Sequence, residues 1–194
     1  MGVGGTAPRD RVEVFWGEMA PCEHLVQIYE HSSALLDSLD GFVGDGLQAG
    51  DSTIVIATAN HRDALEARLQ ERGIDVGAAR SKDQYIPLDA AGTLSKFMVG
   101  RWPDDDLFNE AVTDLLARAR RGGRRVRAFG EMVAVLWARG DQAATVRLEH
   151  LWQRLCESEE FSLFCAYPKV GFTQDASDSI SELCAEHSRV IAEN

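Results

Sequence analysis

The most chemically loaded position in the chain is a glutamate that directly follows an expected buried strand. In the stretch 124–137, RRVRAFGEMVAVLW, Val126, Ala128 and Phe129 form an apolar run, Gly130 allows a tight exit, and Glu131 precedes Met132, Val133, Leu136 and Trp137 at helical spacing. Open α/β sheets bind ligands in the crevice outside the carboxyl ends of their strands, so a carboxylate delivered there is placed to meet one. Tyr29, Glu30, His31, Asn60, Asp89, Cys165 and Tyr167 fall at or just past other expected strand ends. In a parallel sheet these residues and Glu131 share one rim. Aromatic rings, amides, a thiol and carboxylates at such a rim suit a small organic ligand. Each also has a structural reading: Glu131 can cap a helix or pair with an arginine, His31 and Ser32 can open a helix, and Cys165 can be packing.

Metal and covalent chemistry have weaker signals. Cys22 and His24 stand at alternate strand positions, and Cys184 and His187 are three apart on an expected helix, so each pair shares a face. Two such pairs form a tetrahedral Cys2His2 set, although the spacing between them is not that of a zinc finger. The competing reading is a buried cysteine and a capping histidine. No metal or cofactor is assigned. There is no G-x-S-x-G elbow, H-E-x-x-H helix or paired-acid pattern, so no catalytic residue is assigned either. A pairing of Cys165 with His31 or His24 needs an electropositive neighbour to activate a thiol set between Phe164 and Ala166.

The elements that must position these residues alternate along the chain. The stretch 24–29, HLVQIY, reads as a strand, and Glu30 to Ser33 as a polar loop that can cap the next helix. Leu35, Leu36, Leu39, Phe42, Val43 and Leu47 follow at helical spacing up to Gly50. The unit repeats with an all-apolar strand over 52–59 and a helix over 62–72. Pro87 denies the strand at 84–90 one ladder donor and places it at an edge. Helices are expected over 94–99 and 107–120, the second capped by Asp104 to Asp106. After the strand carrying Glu131, helices over 133–138 and 141–157 form a hairpin with Trp152 on its inner stripe, followed by a strand over 161–167 and a helix over 178–192. The predicted fold is three-layer α/β, a mostly parallel sheet of about five strands with helices on both faces.

Length and composition fit one domain, read as residues 21–194 behind a flexible tail of residues 1–20 that docks through Phe15 and Trp16. The net charge of -11 argues against a nucleic-acid surface. The basic run 118–127 reads as dipole compensation at a helix end with a solvated rim. Four cysteines without a signal-peptide core or spanning apolar segment imply a reducing cytoplasm, free thiols and no membrane.

Several segments together resemble a known family: HLVQIYE, FVGDGLQAGDSTIVIAT, FMVGRWPDDDLF, RVRAFGEMVAVLW, LEHLWQRL, FSLFCAYP and CAEHSRVI, over about 24–191. The family is the MEDS domain, the sensory domain of methanogen and methylotroph proteins and of the dichloromethane-metabolism regulator. The resemblance implies a sensor of small molecules acting through a regulatory partner, whether kinase, anti-sigma factor or transcription regulator. The order of parts is also similar to the KaiC and RecA type of ATPase core. The phosphate loop of that core has no counterpart here, because no G-x-x-x-x-G-K-[ST] occurs and Tyr29-Glu30-His31-Ser32-Ser33 stands in its place. The alternatives are a degenerate nucleotide hydrolase or phosphotransferase using Glu131 as base, and an interaction module without a ligand.

Overall fold

The computed structural model describes residues 16, 19–20, 22–171 and 189–192. In chain order they form β1 (His24–Tyr29), α1 (Ser32–Leu39), a π-helical turn (Asp40–Asp45), α2 (Gly46–Gln48), β2 (Ser52–Ala57), α3 (Ala59–Glu71), α4 (Val76–Ser81), β3 (Tyr85–Asp89) and α5 (Ala90–Leu94). There follow β4 (Met98–Val99), β5 (Trp102–Pro103), α6 (Asp105–Ala119), β6 (Val126–Gly130), α7 (Met132–Ala138), α8 (Gln142–Glu159), β7 (Ser162–Pro168) and β8 (Arg189–Ala192). Six of the strands make one sheet in the order β3-β2-β6-β7-β1-β8, and every pairing in it is parallel. The edge position read from Pro87 is where β3 lies.

Period-two alternation along the strands builds two cores. Ile54, Ile56, Ala128, Leu163 and Cys165 face the layer of α5 to α8, whereas Val55, Ala57, Phe129, Phe164 and Ala166 face the layer of α1 to α4. A strand buried on both faces reads as a near-continuous apolar run, which is why STIVIA and SLFCAY carry no charged residue. Among the described residues no helix is long and apolar enough to cross a membrane.

Three segments depart from expectation. The helix expected over 94–99 starts earlier, as α5, because the Asp89 side chain caps it by accepting from the Gly92 amide at 2.7 Å. The chain then turns at Gly100, which adopts φ +64°, and β4 and β5 pair as a small antiparallel hairpin. Of the helix expected over 178–192, the last four residues are instead the strand β8, hydrogen-bonded along β1. Val190 and Ile191 are β-branched and suit an added strand. The remainder of that expected helix, and Phe15, lie outside the described residues. The helix expected through Leu47 passes through a π turn, which brings Gly41 under the Trp16 ring and Gly46 under Arg127. A Cβ on Gly46 would meet Arg127 Cδ at 2.9 Å.

The basic run 118–127 is a set of partnered arginines and not only a solvated rim. Arg118 and Arg121 pair with Asp83, Arg120 with Glu159, and Arg125 with Asp51. Arg127 is fully buried; its Nε donates to Asp51 Oδ2 at 2.8 Å and its Nη1 donates to the Trp16 carbonyl at 2.5 Å. This pair closes the amino end of the sheet, opposite Glu131.

On the other face Trp152 is 1% exposed and packs edge-on against Phe108, with ring centroids 5.1 Å apart, and against Phe161. Removing so large a ring leaves a cavity the sheet cannot close. Trp152→Ala is therefore expected to cost about 3 to 5 kcal/mol in chemical denaturation. A loss under about 1 kcal/mol would place the indole outside the core.

Candidate functional site

The sheet order creates one opening. β2 and β6 are hydrogen-bonded neighbours, yet the helix that follows β2 lies in the α1–α4 layer and the helix that follows β6 lies in the α5–α8 layer. The chain thus departs to opposite sides at adjacent strand ends, the position at which open α/β sheets bind their ligands. Glu131 and Thr58 are the residues at that point. The Glu131 amide continues the β2–β6 ladder by donating to the Ile56 carbonyl at 2.8 Å. Its backbone then turns at φ -91°, ψ 0°, as the N-cap of α7, and its side chain makes no cap bond to that helix.

The carboxylate reaches across instead to the start of α3. Glu131 is 5% exposed; Oε2 accepts from the Thr58 amide at 2.7 Å, and Oε1 takes His61 Nδ1 at 2.8 Å and Thr58 Oγ1 at 3.5 Å. A carboxylate only accepts, so Nδ1 carries the proton and Nε2 turns to Ser32 Oγ at 3.4 Å, on the first turn of α1. Tyr29, at the end of β1, lies edge-on to the imidazole with centroids 6.4 Å apart. The hydrogen bond that His61 donates to Glu131 raises the His61 pKa above the usual 6.5, against the effect of burial. Burial, with the Glu131 charge second, pushes the Tyr29 hydroxyl up to about 12. The strand ends of β1, β2 and β6 are therefore tied by one chain of groups: Tyr29, Ser32, His61, Thr58 and Glu131.

Of the residues singled out in the sequence, the structure brings Glu131 and Tyr29 together. The arginine partner considered for Glu131 is a histidine, His61, which sequence reasoning passed over. Its one signal is position, in the first turn after an apolar strand end, beside Asn60. Asn60 itself is exposed on that turn. Glu30 is exposed and ion-paired with Lys169, which holds its carboxyl below the usual range. His31 is the exposed N-cap residue of α1 and makes no side-chain cap bond. Asp89 caps α5 and pairs with Arg62 at 3.3 Å, and the Arg62 head also donates to the Ala57 and Leu88 carbonyls.

Cys165 and Tyr167 are at a strand end but turn to the other face. There they meet Glu149 and His24 beneath α8, all four at most 1% exposed. The Tyr167 hydroxyl donates to Glu149 Oε1. Burial first, and then the Glu149 charge, push both the Cys165 thiol and the Tyr167 hydroxyl well above their ordinary values. A thiol held protonated in this way is a poor nucleophile. Cys22 lies before β1, in a turn at φ +64°, and so does not share a strand with His24 as alternate spacing suggested; it packs against the core of the α5–α8 face, whereas Cys184 and His187 lie outside the described residues.

The molecule is a three-layer α/β domain whose polar side chains converge where a parallel sheet opens at its carboxyl edge. The chain belongs to the MEDS family, the MEthanogen/methylotroph, DcmR Sensory domain, whose family model matches residues 23–188. Comparison with curated proteins finds no match. It is a sensory domain.

The His61–Glu131 pair makes a prediction about pH. A histidine whose folded pKa is raised binds its proton more tightly when folded, so its contribution is complete below pH 6.5 and is lost as pH rises through the folded value. Wild type is expected to exceed His61→Asn in unfolding free energy by about 1 to 2 kcal/mol near pH 6, with the gap narrowing at alkaline pH. A gap that widens with pH would mean the pair is not formed.

Proposed function

We propose that the chain senses a small organic molecule, uncharged or cationic, in the crevice between the ends of β2 and β6, and passes the response to a regulatory protein partner. The observation that carries this reading is Glu131, a nearly buried carboxylate at the sheet's switch point whose two oxygens are held by Thr58 and His61. The amino terminus of a helix attracts anions. At α3 that place is already taken by the protein's own carboxylate, so a phosphate or carboxylate ligand meets repulsion, while a hydroxyl, amide or ammonium meets an acceptor. The Tyr29 ring supplies an apolar wall and a donor. Membership in a sensory family supports the role.

The frame reads as a RecA- or KaiC-like core without ATP chemistry. In support, the segment between β1 and α1 carries neither glycine nor lysine to cradle a phosphate. The partner is expected to be a kinase, an anti-sigma factor or a transcription regulator. The β4–β5 hairpin, which exposes Val99 and Trp102, is a surface such a partner can use. Free Cys22, Cys156 and Cys165 suit a cytoplasmic setting.

One observation favours a second reading, an enzyme. Ser32 Oγ, His61 Nε2, His61 Nδ1 and Glu131 follow one another as nucleophile, base and orienting carboxylate do in a hydrolase. A serine-directed fluorophosphonate that labels Ser32 in the wild type and not in His61→Asn would establish it.

The sensing reading is tested by thermal unfolding with a panel of small alcohols, amides and amines beside nucleotides with magnesium. A fitting molecule at 100 times its dissociation constant is expected to add about 2.7 kcal/mol, an effect largely lost in Tyr29→Ala and Glu131→Gln. Stabilisation by nucleotides alone, or stabilisation indifferent to both substitutions, would refute it.

A further inference from the structure

The buried cluster on the opposite face is not needed by the crevice, and its chemistry is specific. His24 comes from β1, Cys165 from β7 and Glu149 from α8. One donor atom from each lies within 4.8 Å of the others, and all three residues are buried. The orientation of the histidine can be followed outward. Gln153 Nε2 donates to Glu157 Oε1 at 2.7 Å, which turns the amide oxygen inward to His24 Nδ1 at 2.7 Å. An oxygen there accepts, so Nδ1 carries a proton and Nε2 is turned toward Glu149 Oε2, 3.5 Å away. An imidazole nitrogen, a carboxylate oxygen and the Cys165 sulfur thus stand around one point, within 4.8 Å of one another.

We propose that His24, Glu149 and Cys165 form a binding site for a divalent transition metal of the zinc class. An imidazole nitrogen, a carboxylate oxygen and a thiolate are the donor types such ions take. Bonds of about 2.0 to 2.3 Å in a tetrahedron set donors roughly 3.3 to 3.8 Å apart. The His24–Glu149 separation already has that value, and the Cys165 sulfur lies within 4.8 Å of the other donors, in reach of a side-chain adjustment. The groups around the donors are those a metal site uses: Gln153 fixes the His24 tautomer, and the Tyr167 hydroxyl holds the second oxygen of Glu149. On binding, Cys165 gives its thiol proton to solvent and the sulfur lone pair forms the metal bond; no electron is transferred. A fourth position is left for a water or a second Glu149 oxygen. The ion ties two neighbouring strands to the helix that covers them, so metal loading is coupled to stability. This site is independent of the crevice.

Full-length protein is stripped with chelator, reloaded with Co2+ or Zn2+, and freed of excess metal by gel filtration. The expected result is one ion per chain, a thiolate-to-cobalt charge-transfer band, and a higher Tm with metal than without. The band is expected to vanish in Cys165→Ser and to persist in Cys22→Ser, Cys156→Ser and Cys184→Ser. Gln153→Leu, which alters only the residue that orients His24, is expected to weaken binding about 10- to 100-fold. Should Cys165→Ser fail to fold, X-ray absorption of the zinc-loaded wild type decides alone: one sulfur with two or three nitrogen or oxygen neighbours supports the site. Failure to retain metal, a band that follows Cys184 in place of Cys165, or a shell with no sulfur or with two or more overturns it.

Discussion

A buried carboxylate must be met by donors or it destabilises the fold, and the way Glu131 meets that requirement organises the functional edge of this domain. Its partners are not on the helix it precedes but on the neighbouring strand's exit, at Thr58 and His61. One side chain thereby joins the β6–α7 turn to the β2–α3 turn, and through His61 and Ser32 it reaches the β1–α1 turn as well. On the proposed reading, a ligand that takes a hydrogen bond from any member of this chain disturbs the other two turns, in a fold whose strands are otherwise locked in parallel pairing.

The two ends of the sheet divide the work. At the amino end, Arg127 and Asp51 are buried together, with the guanidinium also donating to the Trp16 and Phe42 carbonyls. Breaking such a pair leaves a stranded buried charge, so losing either partner is costly. At the carboxyl end the switch between β2 and β6 gathers polar groups, Glu131 with Thr58 and His61, that are joined by hydrogen bonds. The two faces divide it again. The α1–α4 face carries the Glu131, Thr58 and His61 cluster, and the α5–α8 face holds His24, Glu149, Cys165 and Tyr167 buried beneath α8. The backbones of the two sites are adjacent, because Gly130, the residue before Glu131, pairs with Cys165 in the sheet.

Much of this was legible in the sequence. Strands buried on both faces announce themselves as apolar runs, and β1, β2, β6 and β7 lie where those runs lie. Glu131 was legible for the same reason, as the one carboxylate between an apolar strand and an apolar helix. His61 was not. It sits in a polar first turn, ANHR, where any residue suits solvent, and only the three-dimensional approach of a residue 70 positions away gives it a partner. Cys165 and Tyr167 were expected at the rim, but period-two alternation sends both to the α8 side while Phe164 and Ala166 take the other. The stretch Leu94, Phe97 and Met98 has helical spacing, and it became a helix end and a hairpin because Asp89 caps early and Gly100 turns left-handed. β8 is a strand only because β1 offers it an edge, a tertiary cause that local periodicity does not carry.

The central claim is that the crevice around Glu131 is where this surface takes small molecules. Fragment mapping by amide and side-chain NMR tests it most directly, because it locates binding for any molecule in the panel, whichever of them resembles the natural ligand. The account predicts that shift changes from alcohols, amides and amines concentrate on Tyr29, Ser32, Thr58, His61 and Glu131. Changes gathered elsewhere, such as the groove along edge strand β3 lined by Arg80, Tyr85 and Arg118, with those five residues unmoved, would contradict it.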